Sequence, residues 1–177
     1  QLAIKAFEYL KTRKLHDIDF PFFVSEHYYP DRIIIPYIHN DVCVYFQARS
    51  INSNIKPRYK NPYAERNRII FNYNEILNRY SKRPLFVTEG VFDALSIGQE
   101  AIAITGGKLS KWMLYELQQV KRKIIFVLDK NNPALGNLAL ENGWNIAIFP
   151  DGIIDSNHAL ITYGRLWLLY FLMNNNY

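Results

Sequence analysis

Two stretches decide the fold: Leu85-Phe86-Val87-Thr88-Glu89-Gly90 and, further along, Ile124-Ile125-Phe126-Val127-Leu128-Asp129. Each is a short apolar run that ends abruptly on an acid. Such runs, too short for helices, read as strands buried on both faces. The strand-like runs are Leu85–Thr88, Ala101–Thr105, Lys123–Leu128 and Asn145–Phe149. They alternate with helix-like segments at Val91–Gly98, Ser110–Val120, Leu135–Asn142 and Ser156–Met173. Strands separated by helices imply βαβ units, hence an α/β domain with a mostly parallel sheet flanked by helices.

Upstream the rhythm changes. Around Tyr80-Ser81-Lys82-Arg83-Pro84 the pattern breaks, which divides the chain into a small α+β lobe at 1–81 and the α/β domain at 82–177. In the first lobe Leu2, Ala3, Ala6, Phe7 and Leu10 recur at helical spacing. Arg32–Tyr37 is β-branched, His39-Asn40-Asp41 is turn chemistry, and Val42–Ala48 alternates, with Val42, Val44, Phe46 and Ala48 on one side. This predicts a β-hairpin. Asn52–Pro62 is a polar loop carrying Lys56, Arg58 and Lys60. The Asn174-Asn175-Asn176 tail is expected to fray.

Composition bounds the class. The chain has 177 residues, enough for a sizeable core without staples. Its single cysteine, Cys43, excludes an internal disulfide or a zinc finger built within it. A net charge of +5 permits a polyanionic partner without requiring one. The Tyr, Phe, Asn and Ile excess is what an A/T-rich coding sequence yields. Gln1–Lys14 lacks an apolar signal region and the longest apolar run, Leu166–Met173, is too short to span a membrane. No membrane role is expected, and the opening Gln suggests a piece of a longer protein.

In an open α/β sheet, chemistry gathers beyond the carboxyl ends of the strands. After the first strand come Glu89 and Gly90, with Asp93 one helical turn on; after the second, Gly106, Gly107 and Lys108. Asp129, Lys130, Asn131 and Asn132 follow the third, and Asp151 and Asp155 the fourth. Acids delivered to one rim repel each other, and a hard divalent cation such as Mg²⁺ relieves that. Asp93 and Asp155 read equally well as helix-capping acids. Gly106-Gly107 suits either a tight turn or a close backbone approach to phosphate. The four histidines show no metal-ligand spacing, and Trp112, Trp144 and Trp167 read as core. The helix at Leu166–Leu172, apolar on nearly every side, reads as buried first and as a partner interface second.

Val87-Thr88-Glu89-Gly90-Val91-Phe92-Asp93-Ala94 resembles the Glu-Gly-x-x-Asp-Ala signature of Toprim domains in DnaG-type and bacteriophage primases. Thr105-Gly106-Gly107 resembles their glycine turn, Val127-Leu128-Asp129-Lys130-Asn131 their Asp-x-Asp motif, and Asp155-Ser156-Asn157 their Asp-x-Asn ending. Upstream, Asp31-Arg32-Ile33-Ile34-Ile35-Pro36 through Arg49, and Lys56-Pro57-Arg58-Tyr59-Lys60-Asn61-Pro62, are similar to the primase lobe that precedes that domain.

The resemblance implies a DNA primase core: a nucleotidyltransferase that makes short RNA primers on single-stranded DNA from ribonucleoside triphosphates, using Mg²⁺ or Mn²⁺. It implies metal ligation by Glu89, Asp129, Asn131 and Asp155, with Glu89, Asp129 and Asp93 as the catalytic acids. Nucleotide or template contacts fall to Arg32, Arg49, Lys56, Arg58, Tyr59, Lys60, Gly106, Gly107 and Lys108. A replicative helicase or a separate zinc-binding module is an implied partner, and the cytoplasm of an infected bacterial cell the implied setting. Two departures stand out: Asn131 where the family has a second acid, and Ile154 where it has Lys. They leave open a catalytically weakened nucleic-acid-binding or replication-partner module, and a Toprim nuclease shares the acids as well. As a pattern alone, the Lys56–Lys60 loop reads equally as solvated surface.

Overall fold

The computed structural model describes residues 1–78, 80–129 and 132–177. Arg79, Lys130 and Asn131 lie outside the described residues, and with them the expected metal ligation by Asn131. The chain forms two compact units, Gln1–Ala64 and Glu65–Tyr177.

The first unit opens with helix α1 (Leu2–Thr12), whose buried Leu2, Ala6 and Leu10 lie at four-residue intervals on one face. Strands β1 (Phe23–Ser25), β2 (Tyr29–His39), β3 (Val42–Ser50) and β4 (Tyr59–Lys60) form an antiparallel sheet in the order β1-β2-β3-β4. The β2–β3 turn is Asn40-Asp41, with φ of 47° and 62° at the two central residues, the geometry of a tight hairpin turn. Alternation along β3 is not strict. Pairing steps from Tyr37↔Tyr45 to Ile38↔Cys43, so Val44 is an extra residue, a bulge. Val42 and Val44 are consequently exposed, while Tyr45 is buried edge-on against Tyr37 at 5.2 Å.

In the second unit a 3₁₀ turn at Arg66–Arg68 leads to β5 (Ile70–Phe71) and α2 (Asn74–Leu77). Then follow β6 (Leu85–Thr88), α3 (Val91–Ile97), β7 (Ala101–Ile104), α4 (Lys111–Gln118) and β8 (Ile124–Leu128). The unit closes with α5 (Pro133–Glu141), β9 (Asn145–Ile148), α6 (Ser156–Tyr163) and α7 (Arg165–Asn174). The sheet order is β5-β7-β6-β8-β9, parallel except for β5. On one face Val87, Ile104, Phe126 and Leu128 join Met113 and Leu117 of α4 and Leu135 and Ala139 of α5 in a continuous core. Helix α3 packs on β6 and β7, with α6 and α7 against it.

Three expectations need correction. The compact units divide between Ala64 and Glu65 and not at 81/82. Ile70 and Phe71 pair with Ile104 and Ala103, and the buried Arg122 donates to the carbonyl and carboxylate of Glu75, 2.8 Å each, so β5 and α2 belong to the second unit. The long helix after Asp155 is two helices, broken at Gly164, where φ is 87°. Leu168 and Leu172 of α7 are buried, but Leu166 and Tyr170 are exposed. The tail does not fray: Tyr177 exchanges backbone hydrogen bonds with Ile146 of β9, and the amides of Asn174, Asn175 and Asn176 cap the last carbonyls of α7. Among the described residues, no helix is long and apolar enough to cross a membrane.

Candidate active site

The sheet order dictates where the acids meet. From β6 the chain crosses to β7 on one side, then returns past β6 to β8 on the other. The crevice between β6 and β8 is thus the topological switch point, where ligands of open α/β sheets bind. Glu89 leaves β6 and Asp129 leaves β8; the strands pair in parallel through Val87↔Phe126, about 4.8 Å apart. Both carboxylates therefore emerge on one rim.

They repel each other there. Burial, and then the charges of Glu89 and Asp155, push the Asp129 carboxyl up to about 6. Asp93 is pushed up to about 8, by burial first and then by Asp155 and Asp129, against the opposing pull of backbone N–H groups at Asn157 and Ser156. Glu89 is held asymmetrically. Its Oε2 accepts from the Asn132 amide at 3.0 Å, while its Oε1 is buried without a hydrogen-bond partner among the described residues. A buried, unpaired carboxylate oxygen costs free energy unless something else satisfies it.

Two glycines explain why the motif has its spacing. A Cβ at Gly90 would stand 2.6 Å from Asp93 Oδ2, so the turn after β6 can fold over the Asp93 carboxylate only without a side chain. Gly107 has φ of 68°, and a Cβ there would stand 3.0 Å from Glu89 Oε2. This half of the glycine turn is thus shaped around Glu89. Thr88 Oγ1 lies 3.0 Å from the carbonyl oxygens of both Gly90 and Ile102, fixing the strand exit.

Asp93 and Asp155 act largely on structure. Asp93 Oδ1 accepts from the Asn157 backbone N–H at 3.2 Å, and the Asn157 amide donates to Ser96 Oγ at 2.9 Å, so α3 clasps the start of α6. Asp155 caps α6, accepting from the His158 backbone N–H at 2.7 Å, while His158 Nδ1 accepts from Ile154 N–H. Asp155 nevertheless stays within electrostatic reach of Asp129 and Asp93. Asp151 is exposed in the turn after β9.

A cleft of about 590 Å³ opens over this rim, lined by Glu89, Gly106, Gly107, Lys108, Asp129 and Asn132 among others. Among the described residues no three His, Cys, Asp or Glu side chains close on one point. Mg²⁺ does not need them: one or two carboxylates suffice when waters and phosphate oxygens complete the octahedron. Glu89 Oε1, without a hydrogen-bond partner among the described residues, and Asp129, pushed up by burial first and by the Glu89 charge second, make a donor set that fits a hard divalent cation.

The basic residues of the first unit divide into two kinds. Arg32 is 4% exposed, and its guanidinium donates to the carbonyls of Ala48 at 3.2 Å, Arg58 at 3.3 Å and Pro57 at 2.8 Å. It holds the basic loop from within and presents no charge to a ligand, contrary to the expected phosphate contact. Arg49, 7% exposed, donates to Tyr9 Oη at 3.1 Å and Tyr59 Oη at 2.6 Å and lies over the Tyr59 ring. That ring therefore already has a cation against it. Lys60 lies over the Tyr29 ring. Lys56 and Arg58 are exposed and, with Arg13, Arg49 and Tyr9, line a pocket of about 390 Å³. Asn132, Asn157, Tyr9 and Arg13 were not evident as site residues in the sequence. Asn132 lay next to a motif position and the Tyr9/Arg13 pair on one turn of α1, but neither fact specifies a partner.

No protein-family model matches the chain. A DNA primase of Campylobacter jejuni is 28% identical over 114 residues, covering 59% of this chain and 19% of that protein. The chain thus spans about a fifth of the curated relative it matches. Among solved structures, a DnaG primase catalytic domain bound to single-stranded DNA superposes with a TM-score of 0.73 at 16% identity, covering 97% of this chain and 74% of that one. The RNA polymerase domain of Mycobacterium tuberculosis DnaG, in complex with double-stranded DNA bearing a 6-nucleotide overhang, gives 0.69 at 19% identity, over 97% and 60% of the two chains. The fold of this chain is that of the DnaG primase catalytic core.

Proposed function

We propose that the chain is the catalytic core of a DNA primase with a Toprim-type metal site, making short RNA primers from ribonucleoside triphosphates on single-stranded DNA. The carrying observation is the pair of acids at the β6/β8 switch point, Glu89 with a buried oxygen that has no hydrogen-bond partner among the described residues, and Asp129 raised by burial and then by the Glu89 charge. Glu89 and Asp129 would hold the divalent cation, with Asp155 behind them. Bound there, Mg²⁺ or Mn²⁺ supplies the positive charge that offsets the triphosphate and favours ionisation of an attacking 3′-hydroxyl.

The chain's own residues do the rest. Asp93 keeps α3 and the start of α6 together, so Asp155 stays at the rim. Lys108, exposed beside the cleft, is set to meet phosphate oxygens as a point charge. Lys56 and Arg58 are the exposed cations of the first unit suited to a template backbone, a contact that weakens as salt rises. A template-selecting zinc module, a helicase partner and a cytoplasmic phage setting belong to this reading as expectations about the larger protein.

The test is incorporation of labelled ribonucleotides on single-stranded templates with Mg²⁺ or Mn²⁺. Glu89→Gln and Asp129→Asn should each lower it about 10³-fold, the several kcal/mol a lost metal ligand represents. Cleavage of the DNA instead of primer synthesis would replace primase with nuclease. Binding of DNA with neither reaction, insensitive to both substitutions, would indicate a non-catalytic module.

A further inference from the structure

We infer that Asn132 is a positioning residue for Glu89: its amide holds one carboxylate oxygen so that the other is left for the cation. This deepens the proposed function and rests on it. Asn132 Nδ2 donates to Glu89 Oε2 and to the Gly107 carbonyl, 3.0 Å in each case. Its Oδ1 accepts from the Leu135 backbone N–H at 3.3 Å and so caps α5. One side chain therefore ties together the exit of β6, the glycine turn after β7 and the helix after β8, the three segments that build the rim.

The orientation of the amide follows from its neighbours. Turned over, it would set Oδ1 against two acceptors, Glu89 Oε2 and the Gly107 carbonyl, and Nδ2 against a donor, the Leu135 N–H. Only one orientation satisfies all three contacts. A Cβ on Gly107 would stand 3.0 Å from Glu89 Oε2 and 3.7 Å from Asn132 Nδ2, so the same bare turn accommodates both partners. The result is a carboxylate pinned through Oε2 whose buried Oε1 has no hydrogen-bond partner among the described residues. Outer groups that orient a metal ligand in this way contribute about 10–100-fold to metal affinity.

Capping alone would also account for an asparagine here, and two substitutions separate the roles. Asn132→Ser keeps a good N-cap oxygen but removes the amide donor; Asn132→Ala removes both. Mn²⁺ titration of the full chain, followed by electron paramagnetic resonance, should show both variants binding about tenfold more weakly or worse. Thermal melting of the metal-free chains should fall further in Asn132→Ala than in Asn132→Ser, which keeps the cap. Wild-type Mn²⁺ affinity in Asn132→Ser would overturn the inference and reduce Asn132 to a cap. In the metal-free chain, the Asn132 side-chain amide resonances should move on Glu89→Ala; if they stay put, the bond and the inference both fail. A wild-type chain that shows this shift yet binds no Mn²⁺ would sink the primase reading while upholding Asn132 as the residue that fixes Glu89.

Discussion

Charge is handled in opposite ways by the buried arginines of the first unit and the rim acids of the second. In the first, the two buried arginines are saturated: Arg32 by three backbone carbonyls, Arg49 by two tyrosine hydroxyls and a ring. In the second, burial and then the neighbouring acids push Asp129 up, and Glu89 Oε1 has no hydrogen-bond partner among the described residues. Satisfied charge stabilises a fold, whereas charge kept unsatisfied against a cost is charge held ready for a ligand. On that distinction Arg32 is held as structure although its sequence context resembles a binding motif, and Glu89 is the residue to which the proposed function assigns the cation.

The contrast can be broken from either side. Arg32→Ala should destabilise the chain by about 3 kcal/mol in urea unfolding, since three inward carbonyls lose a charged donor. A change within about 0.5 kcal/mol would mean that Arg32 is not a structural clamp. The exposed cations should behave in the reverse manner. Lys56→Ala with Arg58→Ala should leave unfolding nearly unchanged while flattening the salt dependence of single-strand binding by about 1.4 in log–log slope, about 0.7 per lost phosphate contact. An unchanged slope would remove that loop from the nucleic-acid interface.

Acidity tests the other side. Asp93 and Asp129 bind protons more tightly folded than unfolded, so between the ordinary carboxylate range and about 8 the folded state holds the extra protons. Stability of the metal-free chain should therefore fall as pH rises from 5 to 8. Asp93→Asn should flatten that decline in melting temperature; an equally steep decline would show that the Asp93 carboxyl is not the strained group.

Much of the second unit was legible because its strands are short apolar runs that stop at Glu89, Thr105 and Asp129. A polar residue at the mouth of a buried strand is visible in sequence, and so the rim was. Two-residue strands are not: β5 has no period to detect, so Ile70 and Phe71 looked like part of the first lobe. The break at Gly164 was hidden by the long apolar run that follows it at Leu166–Met173. Arg32 misled because sequence shows a cation's presence but not which carbonyls surround it. Asn132 was invisible for a related reason: its role depends on two turns, at Glu89 and Gly107, distant in sequence and joined only when β6, β7 and β8 pair side by side.

Whether Glu89 and Asp129 grip the same ion is decided by a Mn²⁺-binding cycle on wild type, Glu89→Gln, Asp129→Asn and the double variant. If they share it, each single change should weaken the tightest site at least about 100-fold, and the double change should add little more, because residues acting on one ligand are not additive. Losses that simply multiply, or a tight site that survives either substitution, would mean that the two acids serve different surroundings and that the switch-point metal centre does not exist.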